Sequence, residues 1–246
     1  MLEHKGVYKS MNLQILRPFQ STFNWLIPRR CMACAIAMAG DSQPYCRACY
    51  QALPFQTHCC TRCGQTISAQ LDYCGRCLLT PPPFDACFCP FRYEGVISEE
   101  IQRFKYGDRP ELSMGLAQAL NLELQAIDIA KPDLLIPVPV HISRLRKRGY
   151  NQSLLLTKSL SKLINIPFSN SLIEKHRSTE PQVNQSLRQR QNNVKGSFRM
   201  CGETPPRSIA IIDDVFTTGA TAAEITKILK RNGVDYVQVW GLAHTI

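Results

Sequence analysis

Apolar residues recur along the chain at two spacings, and these spacings predict alternating strands and helices. Short apolar runs, typical of buried strands, occur at 134–138, 209–212 and 234–240. Apolar residues at helical spacing occur at 96–106, 112–126, 153–164 and 222–232. The alternating stretch 86–93 predicts one more strand. Strands and helices interleaved in this order indicate an α/β domain, in which a parallel sheet carries helices on its faces.

One further amphipathic helix is predicted near the start of the chain. The apolar residues of 16–27 fall at helical spacing. We expect this N-terminal segment, residues 1–30, to pack on the rest of the protein. Trp25, with Arg29 and Arg30 after the helix, also suits peripheral contact with the inner membrane.

Eight cysteines form four Cys-x2-Cys pairs at nearly regular intervals between residues 31 and 77. Thiolates two residues apart can share one metal ion, and a second pair roughly a dozen residues later completes a tetrahedron. The spacing therefore predicts two structural zinc sites, a double zinc ribbon, rather than a set of disulfides. The predicted ligands are Cys31, Cys34, Cys46, Cys49, Cys60, Cys63, Cys74 and Cys77.

The pairing of these cysteines is open. We assume that consecutive pairs share an ion, but pairing the first with the third and the second with the fourth fits the spacing as well. Cys59 is surplus, and His58 is a weaker substitute ligand. We expect Cys87, Cys89 and Cys201 in the core or at a sheet edge.

Three consecutive prolines, 81–83, mark a stiff linker after the cysteine-rich stretch. They divide the chain into a zinc module at 31–80 and an α/β domain at 84–246. With so few large apolar residues, the zinc module needs metal in order to fold.

Residues 209–221 combine a buried strand, two acids and a small polar turn. Asp213 and Asp214 follow the predicted strand 209–212 directly, and the turn 217–221 precedes the predicted helix. Ligands of open α/β sheets bind where strands give way to helices. Free N–H groups at a helix N-terminus favour a phosphate, and adjacent carboxylates suit sugar hydroxyls or a divalent cation.

The net charge of +10 is concentrated in one quarter of the chain. Residues 140–200 hold 12 Lys or Arg against only two acids, and the rest of the chain balances. Such concentration indicates an anionic partner, polyphosphate or nucleic acid, with a merely soluble basic surface as the alternative. Arg144, Arg146, Lys147 and Arg148 are the densest part of this basic stretch, in a predicted loop after the strand 134–138.

The sequence has no apolar run near the roughly 20 residues that a membrane-spanning helix needs. It also lacks the charged and apolar regions of a secretory signal. We therefore expect a cytoplasmic protein. His244 is expected at the surface rather than in a catalytic role.

Residues 209–221 resemble the signature of type I phosphoribosyltransferases, which bind phosphoribosyl pyrophosphate. The stretch 133–152, with its Pro-Val-Pro and Arg-Gly-Tyr-Asn-Gln motifs, resembles the ComF branch of that superfamily, as do residues 177–198 and the cysteine-rich start. The resemblance implies an α/β fold, with a type I phosphoribosyltransferase-like parallel sheet domain preceded by a small four-cysteine zinc-ribbon module. It also implies Mg²⁺ bound together with phosphoribosyl pyrophosphate.

The resemblance further implies roles for individual residues. Asp213 and Asp214 would contact the ribose hydroxyls and Mg²⁺. The residues around the 5′-phosphate would be Thr217, Thr218, Gly219, Ala220 and Thr221. Those facing the pyrophosphate would be Val140, His141, Arg144 and Arg148. Arg177, Gln182 and Arg190 would belong to a mobile flap, 177–193, for which a plain surface loop is the alternative.

Three functions fit these features. The resemblance favours a competence-type DNA uptake or utilisation factor, which handles incoming single-stranded DNA, contacts competence-machinery proteins and retains a phosphoribosyl pyrophosphate site. An active phosphoribosyltransferase is the first alternative, although no aromatic and amide cluster indicates its acceptor. The second is a regulator that responds to phosphoribosyl pyrophosphate without catalysis.

Overall fold

The computed structural model of the protein describes residues 29–38, 43–68, 71–177, 194–202 and 204–245. The helix predicted at 16–27 lies outside these residues, as does most of the flap predicted at 177–193.

The cysteine-rich part consists of two units with the same plan. In the first, β1 (Arg29–Arg30) pairs antiparallel with β2 (Ala37–Met38), and α1 (Arg47–Gln51) follows. In the second, an antiparallel bridge joins Cys59 to Thr66, and α2 (Gly75–Leu79) follows. A cysteine is the N-cap residue of each helix, so the repeat in the sequence is a repeat in structure.

The central sheet is parallel throughout. Its strands are β3 (Ala86–Phe88), β4 (Phe91–Arg92), β5 (Leu134–Pro137), β8 (Ser208–Phe216) and β9 (Tyr236–His244). The order across the sheet is β3-β9-β8-β5, and β4 also pairs with β9. Two shorter strands, β6 (Ile173–Lys175) and β7 (Phe198–Met200), form a separate antiparallel pair. The predicted α/β class with a parallel sheet is confirmed.

Helices connect the strands and cover both faces of the sheet. They are α3 (Gly95–Tyr106), α4 (Leu112–Gln125), α5 (Ile142–Arg148), α6 (Gln152–Ile164) and α7 (Ala220–Arg231). Their buried residues recur every three or four positions, as in Ile97, Ile101 and Phe104 of α3. This spacing gives each long helix one apolar stripe toward the sheet.

Alternate residues of β8 enter two cores on opposite faces of the sheet. Ala210 and Ile212 belong to a core with α3, α4 and α6, which the zinc-unit residue Tyr45 also joins. Ile209 and Ile211 belong to a second core with α7 and the β6–β7 pair. A fully buried central strand explains why the sequence shows a continuous apolar run there.

Some predicted boundaries and positions are wrong. The stretch 86–93 forms two short strands rather than one, and the last strand runs over Tyr236–His244 rather than 234–240. His244 is buried within that strand, not at the surface. The basic stretch predicted as a loop is largely the helix α5.

The turn between α5 and α6 explains the Arg-Gly-Tyr-Asn-Gln motif. Gly149 ends α5 with a left-handed backbone, φ +78°, which glycine adopts without strain. The Tyr150 hydroxyl donates to the Phe104 carbonyl at 2.5 Å. The Asn151 side chain accepts from the Leu154 N–H at 3.3 Å, which caps α6. The motif therefore forms the turn by which α6 follows α5.

Candidate functional site

The two acids lie in a strand that extends past its neighbour. Parallel pairing of β8 with β5 stops at Ile212 and Pro137, while pairing of β8 with β9 continues to Phe216. Asp213 and Asp214 are therefore inside β8, not after it as predicted, and they lie beyond the carboxyl end of β5. Ligands of parallel sheets bind at this edge.

Asp214, in the strand β8, forms an ion pair with a lysine of the helix α3. Its Oδ2 lies 3.0 Å from Nζ of Lys105, in the last turn of α3, and both side chains are largely buried. Its Oδ1 accepts from the Val215 N–H at 2.7 Å. The Lys105 contact could not be predicted from the sequence, because more than one hundred residues separate the two groups in the chain.

Asp213 carries a carboxyl group whose ionisation is suppressed. Its Oδ1 accepts from the Ser153 hydroxyl and from the Asp214 N–H, each at 2.9 Å. Burial, followed by the charge of Asp214, raises the pKa of Asp213 to about 7, against the opposing effect of Lys105. A bound cation would favour ionisation of this pair, so the acids suit a site completed by a metal ion.

The small polar turn begins α7 as expected. Gly219 is the N-cap residue with φ +72°, and the Thr218 hydroxyl accepts from the Ala220 N–H at 3.3 Å. The first turn of α7 contains no acid. Thr217 is exposed and Thr221 is half-buried. The N-terminus of α7 is thus free of negative charge that would oppose a phosphate.

A cavity of about 510 Å³ adjoins this turn. Thr218, Gly219 and Ala220 line it on one side. Arg76 of the second zinc unit and the prolines 81–83 line it on the other. The predicted linker is therefore part of the wall of a cavity at the candidate phosphate turn.

The four residues predicted to face pyrophosphate do not share a single cavity. Val140 and His141 line a cavity of about 760 Å³ between the end of β5 and the β6–β7 pair. Arg144 and Arg148 line another, of about 640 Å³, together with Lys105. The helix α5 contributes to both, because Ile142 and Leu145 line the first cavity and Arg144 and Arg148 the second.

The basic residues around α5 are crowded. Burial, followed by the charge of Arg148, lowers the pKa of Arg144. Burial, followed by the charge of Arg144, lowers the pKa of Lys175 to about 8. Arg146 is exposed, and Lys147 lies in the same helix. Cations placed this close together favour an anion between them.

The predicted flap residues are only partly described. Arg177 is exposed at the end of a described range, next to the β6–β7 pair. Gln182 and Arg190 lie outside the described residues. The structure therefore leaves the flap a prediction.

The eight predicted zinc ligands form two clusters from consecutive pairs, which answers the open question of pairing. The first comprises Cys31, Cys34, Cys46 and Cys49, and the second Cys60, Cys63, Cys74 and Cys77, with all sulfurs of a cluster within 4.8 Å of one another. Tetrahedral zinc–sulfur bonds of about 2.3 Å require sulfurs about 3.8 Å apart. Two neighbouring sulfurs in the first cluster are 3.8 Å apart, and two in the second are 3.7 Å apart. Both donor sets fit structural zinc.

Within each cluster the pKa of one thiol is lowered while that of another is raised. Burial raises the pKa of Cys31, but backbone N–H groups donate to its sulfur and bring the pKa down to about 6. Cys59 and His58 belong to neither cluster. Cys87 and Cys89 are buried in the second core, as expected for structural residues.

Comparison with known proteins first defines the class. A family described as double zinc ribbon domain matches residues 22–78. Among the described residues, no helix is long and apolar enough to cross a membrane. The chain thus combines a zinc-ribbon part with a parallel α/β sheet.

Curated relatives then define the family. Competence protein F of Haemophilus influenzae is 33% identical over 221 residues, which cover 87% of this chain and 96% of the relative. DNA utilization protein YhgH of Escherichia coli K12 is 33% identical over 89% of this chain and 99% of the relative. Competence protein ComFC of Bacillus subtilis is 25% identical over 58% of this chain and 57% of the relative. The chain belongs to the ComF family, and the fold class expected from that resemblance is confirmed.

Solved structures share the shape only distantly. A glutamine phosphoribosylpyrophosphate amidotransferase from Bacillus subtilis has a TM-score of 0.39 at 16% identity, covering 57% of this chain and 30% of that chain. A purine phosphoribosyltransferase from Pyrococcus horikoshii has a TM-score of 0.32 at 17% identity, covering 57% and 85%. Likeness at this level does not identify a ligand.

Proposed function

We propose that the protein is a competence-type DNA uptake or utilisation factor that handles incoming single-stranded DNA and binds phosphoribosyl pyrophosphate with Mg²⁺. The names of its relatives support the DNA role. The observation that carries the second part is the pair Asp213 and Asp214, which lies beyond the end of β5 and next to the turn that begins α7.

In this proposal, different elements at the carboxyl edge of the sheet bind different parts of phosphoribosyl pyrophosphate. Asp213 and Asp214 bind the ribose hydroxyls and hold Mg²⁺, which neutralises charge on the pyrophosphate. The turn 217–221 binds the 5′-phosphate through N–H groups at the start of α7. Val140 and His141 approach the pyrophosphate from one side of α5, and Arg144 and Arg148 from the other.

The DNA interface in this proposal is the basic helix α5, through Arg144, Arg146, Lys147 and Arg148. We further propose a cytoplasmic location, contact with competence-machinery proteins and peripheral contact of residues 1–30 with the inner membrane. The zinc units stabilise the N-terminal part of the protein. Arg76 of the second unit lines the cavity at the phosphate turn.

Two alternatives retain the same sugar phosphate site. An active phosphoribosyltransferase releases pyrophosphate when a suitable acceptor is present. A regulator binds phosphoribosyl pyrophosphate without consuming it. Detection of pyrophosphate release with single-stranded DNA and with free bases as acceptors separates these alternatives.

Isothermal titration tests the sugar phosphate site. The double change Asp213→Asn with Asp214→Asn keeps the shape of both side chains but removes their charges. We expect the affinity for phosphoribosyl pyrophosphate with Mg²⁺ to fall by about tenfold or more, because neutral amides bind Mg²⁺ poorly. DNA binding holds or rises slightly, since two acids near a polyanion repel it.

The opposite edge of the sheet supplies a matched control. Asp133 and Asp235 precede β5 and β9, and both are exposed. Asp133→Asn with Asp235→Asn removes the same charge and leaves phosphoribosyl pyrophosphate affinity unchanged. Equal affinity of the Asp213 and Asp214 variant and the wild type would refute the site. If that variant binds DNA but fails to support DNA uptake in cells, the sugar phosphate site acts in the pathway.

Salt dependence tests the DNA interface. Four phosphate contacts on single-stranded DNA predict a slope of about −3 in log affinity against log salt, or a loss of roughly 50-fold between 50 and 200 mM. Reversing Arg144, Arg146, Lys147 and Arg148 to Glu should abolish most of the affinity and flatten this slope. Fluorescence anisotropy of a labelled oligonucleotide measures both effects.

Four exposed cations elsewhere provide the control for charge alone: Arg29, Arg47, Lys131 and Arg231. Their reversal changes the net charge by the same amount, so only long-range attraction is weakened. Binding that ignores ionic strength, or that survives reversal of the α5 cations, would contradict the proposed interface.

A further inference from the structure

The cavity between the end of α3 and the helix α5 contains an aromatic residue that the proposed function does not use. Its lining consists of Lys105, Tyr106, Asp108, Arg144, Arg148, Gly149 and Tyr150, around about 640 Å³. Three of these side chains are cationic and one is acidic. The cavity therefore offers a positive environment around two tyrosines, of which Tyr150 is half-buried and Tyr106 is exposed.

Tyr106 is unusually exposed for an aromatic side chain. Phe104, two residues earlier in α3, is fully buried, whereas Tyr106 is 72% exposed. It lies at the end of the apolar stripe of α3 and adds nothing to either core. A large aromatic ring in this position has its surface available for a ligand.

The ring is held in place by an arginine of the basic helix. The guanidinium carbon of Arg148 lies 5.0 Å from the ring centroid of Tyr106, and Nη2 of Arg148 donates to the Tyr106 hydroxyl at 3.2 Å. Nη1 of Arg148 also donates to the buried Gln152 at 3.4 Å. Since these contacts fix the ring beforehand, less conformational entropy is lost when a ligand stacks on it.

We propose that Tyr106 is a stacking platform for a base of single-stranded DNA, while Arg144 and Arg148 bind the adjacent phosphates. This inference rests on the proposed DNA role. It adds a residue that contacts a base of the DNA, whereas the arginines contact its phosphates. Proteins that bind single strands without sequence preference pair a basic groove with exposed aromatic rings in this way. A free phosphate or polyphosphate would gain nothing from the ring itself.

The test compares two probes that carry the same number of phosphates. One is a labelled fifteen-residue oligothymidylate, and the other is the same length of abasic DNA. Tyr106→Ala should weaken oligothymidylate binding by about tenfold and leave abasic binding nearly unchanged. Tyr106→Phe should retain most of the affinity, because it keeps the ring and loses only the hydroxyl.

Tyr73 of the second zinc unit provides a matched control, since it is 42% exposed and distant in sequence from the cavity. Tyr73→Ala should leave both affinities unchanged. Equal losses for both probes in Tyr106→Ala would mean that the ring only positions Arg148, and would overturn the inference. Unchanged binding of oligothymidylate by that variant would also overturn it.

The same experiment separates this inference from the proposed function. If the wild-type protein binds neither probe, the DNA role itself fails and takes the stacking role with it. If the wild-type protein binds both probes equally tightly, charge alone accounts for binding and the stacking role fails while the DNA role stands. Thermal unfolding of each variant checks that the exposed position tolerates the changes.

Discussion

Gly219 is the residue of the candidate phosphate turn whose backbone is most constrained. Its φ of +72° is unfavourable for other residues, and an added Cβ would lie 2.7 Å from Cζ of Phe216. Gly219→Ala should therefore cost about 2–3 kcal/mol of unfolding free energy and displace the turn. Urea unfolding measures the cost.

Gly233 is the matched position for this change. Its φ is +89°, but an added Cβ meets no atom within 4 Å. Gly233→Ala should cost only about 1 kcal/mol, from backbone strain alone. Equal costs at the two positions would show that the Phe216 ring moves aside freely.

Asp213 predicts a dependence of stability on pH. Its pKa is raised from an ordinary 3.8 to about 7 in the folded protein, so the folded state binds the proton more tightly than the unfolded state. This contribution to stability is present below the unfolded pKa and is lost as the pH rises from about 4 to about 7. The variant Asp213→Asn has no carboxyl group at this position, so it does not lose stability in this way as the pH rises.

We therefore expect Asp213→Asn to be more stable than the wild type by about 1–2 kcal/mol at pH 8, with little difference at pH 4. For a chain of this length, the gain amounts to roughly 2–8 °C in melting temperature. Calorimetry at both pH values measures it. A gain of the same size at pH 4 would show that charge at Asp213 is not the cause.

Candidate residues could be recognised in the sequence where they lie close together in the chain, and were missed where folding brings them together. The two acids, the threonine-rich turn and the eight cysteines were all recognisable from spacing. Lys105 and Tyr106 were not, since their roles depend on how α3 ends beside β8 and α5. His244 was predicted at the surface, yet the second zinc unit and Phe216 enclose it.

At the scale of elements, each of the two zinc units can be tested separately. We expect two zinc ions per chain in the purified protein. Cys60→Ser and Cys34→Ser should each reduce the zinc content to about one, because each removes a ligand from a different cluster. Cys59→Ser, adjacent in sequence to a ligand, should retain both ions.

Metal analysis of the three variants decides the point. The second cluster is fully buried, whereas Cys34 of the first is exposed. Cys60→Ser should therefore destabilise the protein more than Cys34→Ser. Folded wild-type protein without zinc would contradict the structural role of both units.

The predicted strands and long helices lie within a few residues of the observed ones, except where the partner of a strand sets its length, but α5, β6 and β7 were not predicted. Apolar character marks β8 only as far as Ile212, where β5 stops pairing with it. The strand continues through two acids because β9 still pairs with it on the other side. Likewise α5, with few apolar residues, is stabilised by caps at His141 and Gly149 rather than by a buried stripe.

At the scale of the molecule, Arg144 and Arg148 are candidates for both ligands. If the two proposals hold together, Mg²⁺-bound phosphoribosyl pyrophosphate should weaken single-stranded DNA binding, and DNA should weaken phosphoribosyl pyrophosphate binding by the same factor. Titration of each ligand in the presence of the other measures this coupling. Independent binding would mean that only one ligand occupies the α5 arginines.

The position of β9 has a consequence for how the protein is made. This strand lies between β3 and β8 and also pairs with β4, yet it follows all three along the chain. During synthesis, β3 cannot pair in the sheet until β9 has left the ribosome, since Ala86 of β3 pairs with Gln238 of β9. Until then, the edges of β3, β4 and β8 that pair with β9 stay unpaired, and we expect nascent chains that end before residue 236 to bind a chaperone, which crosslinking on stalled ribosomes measures.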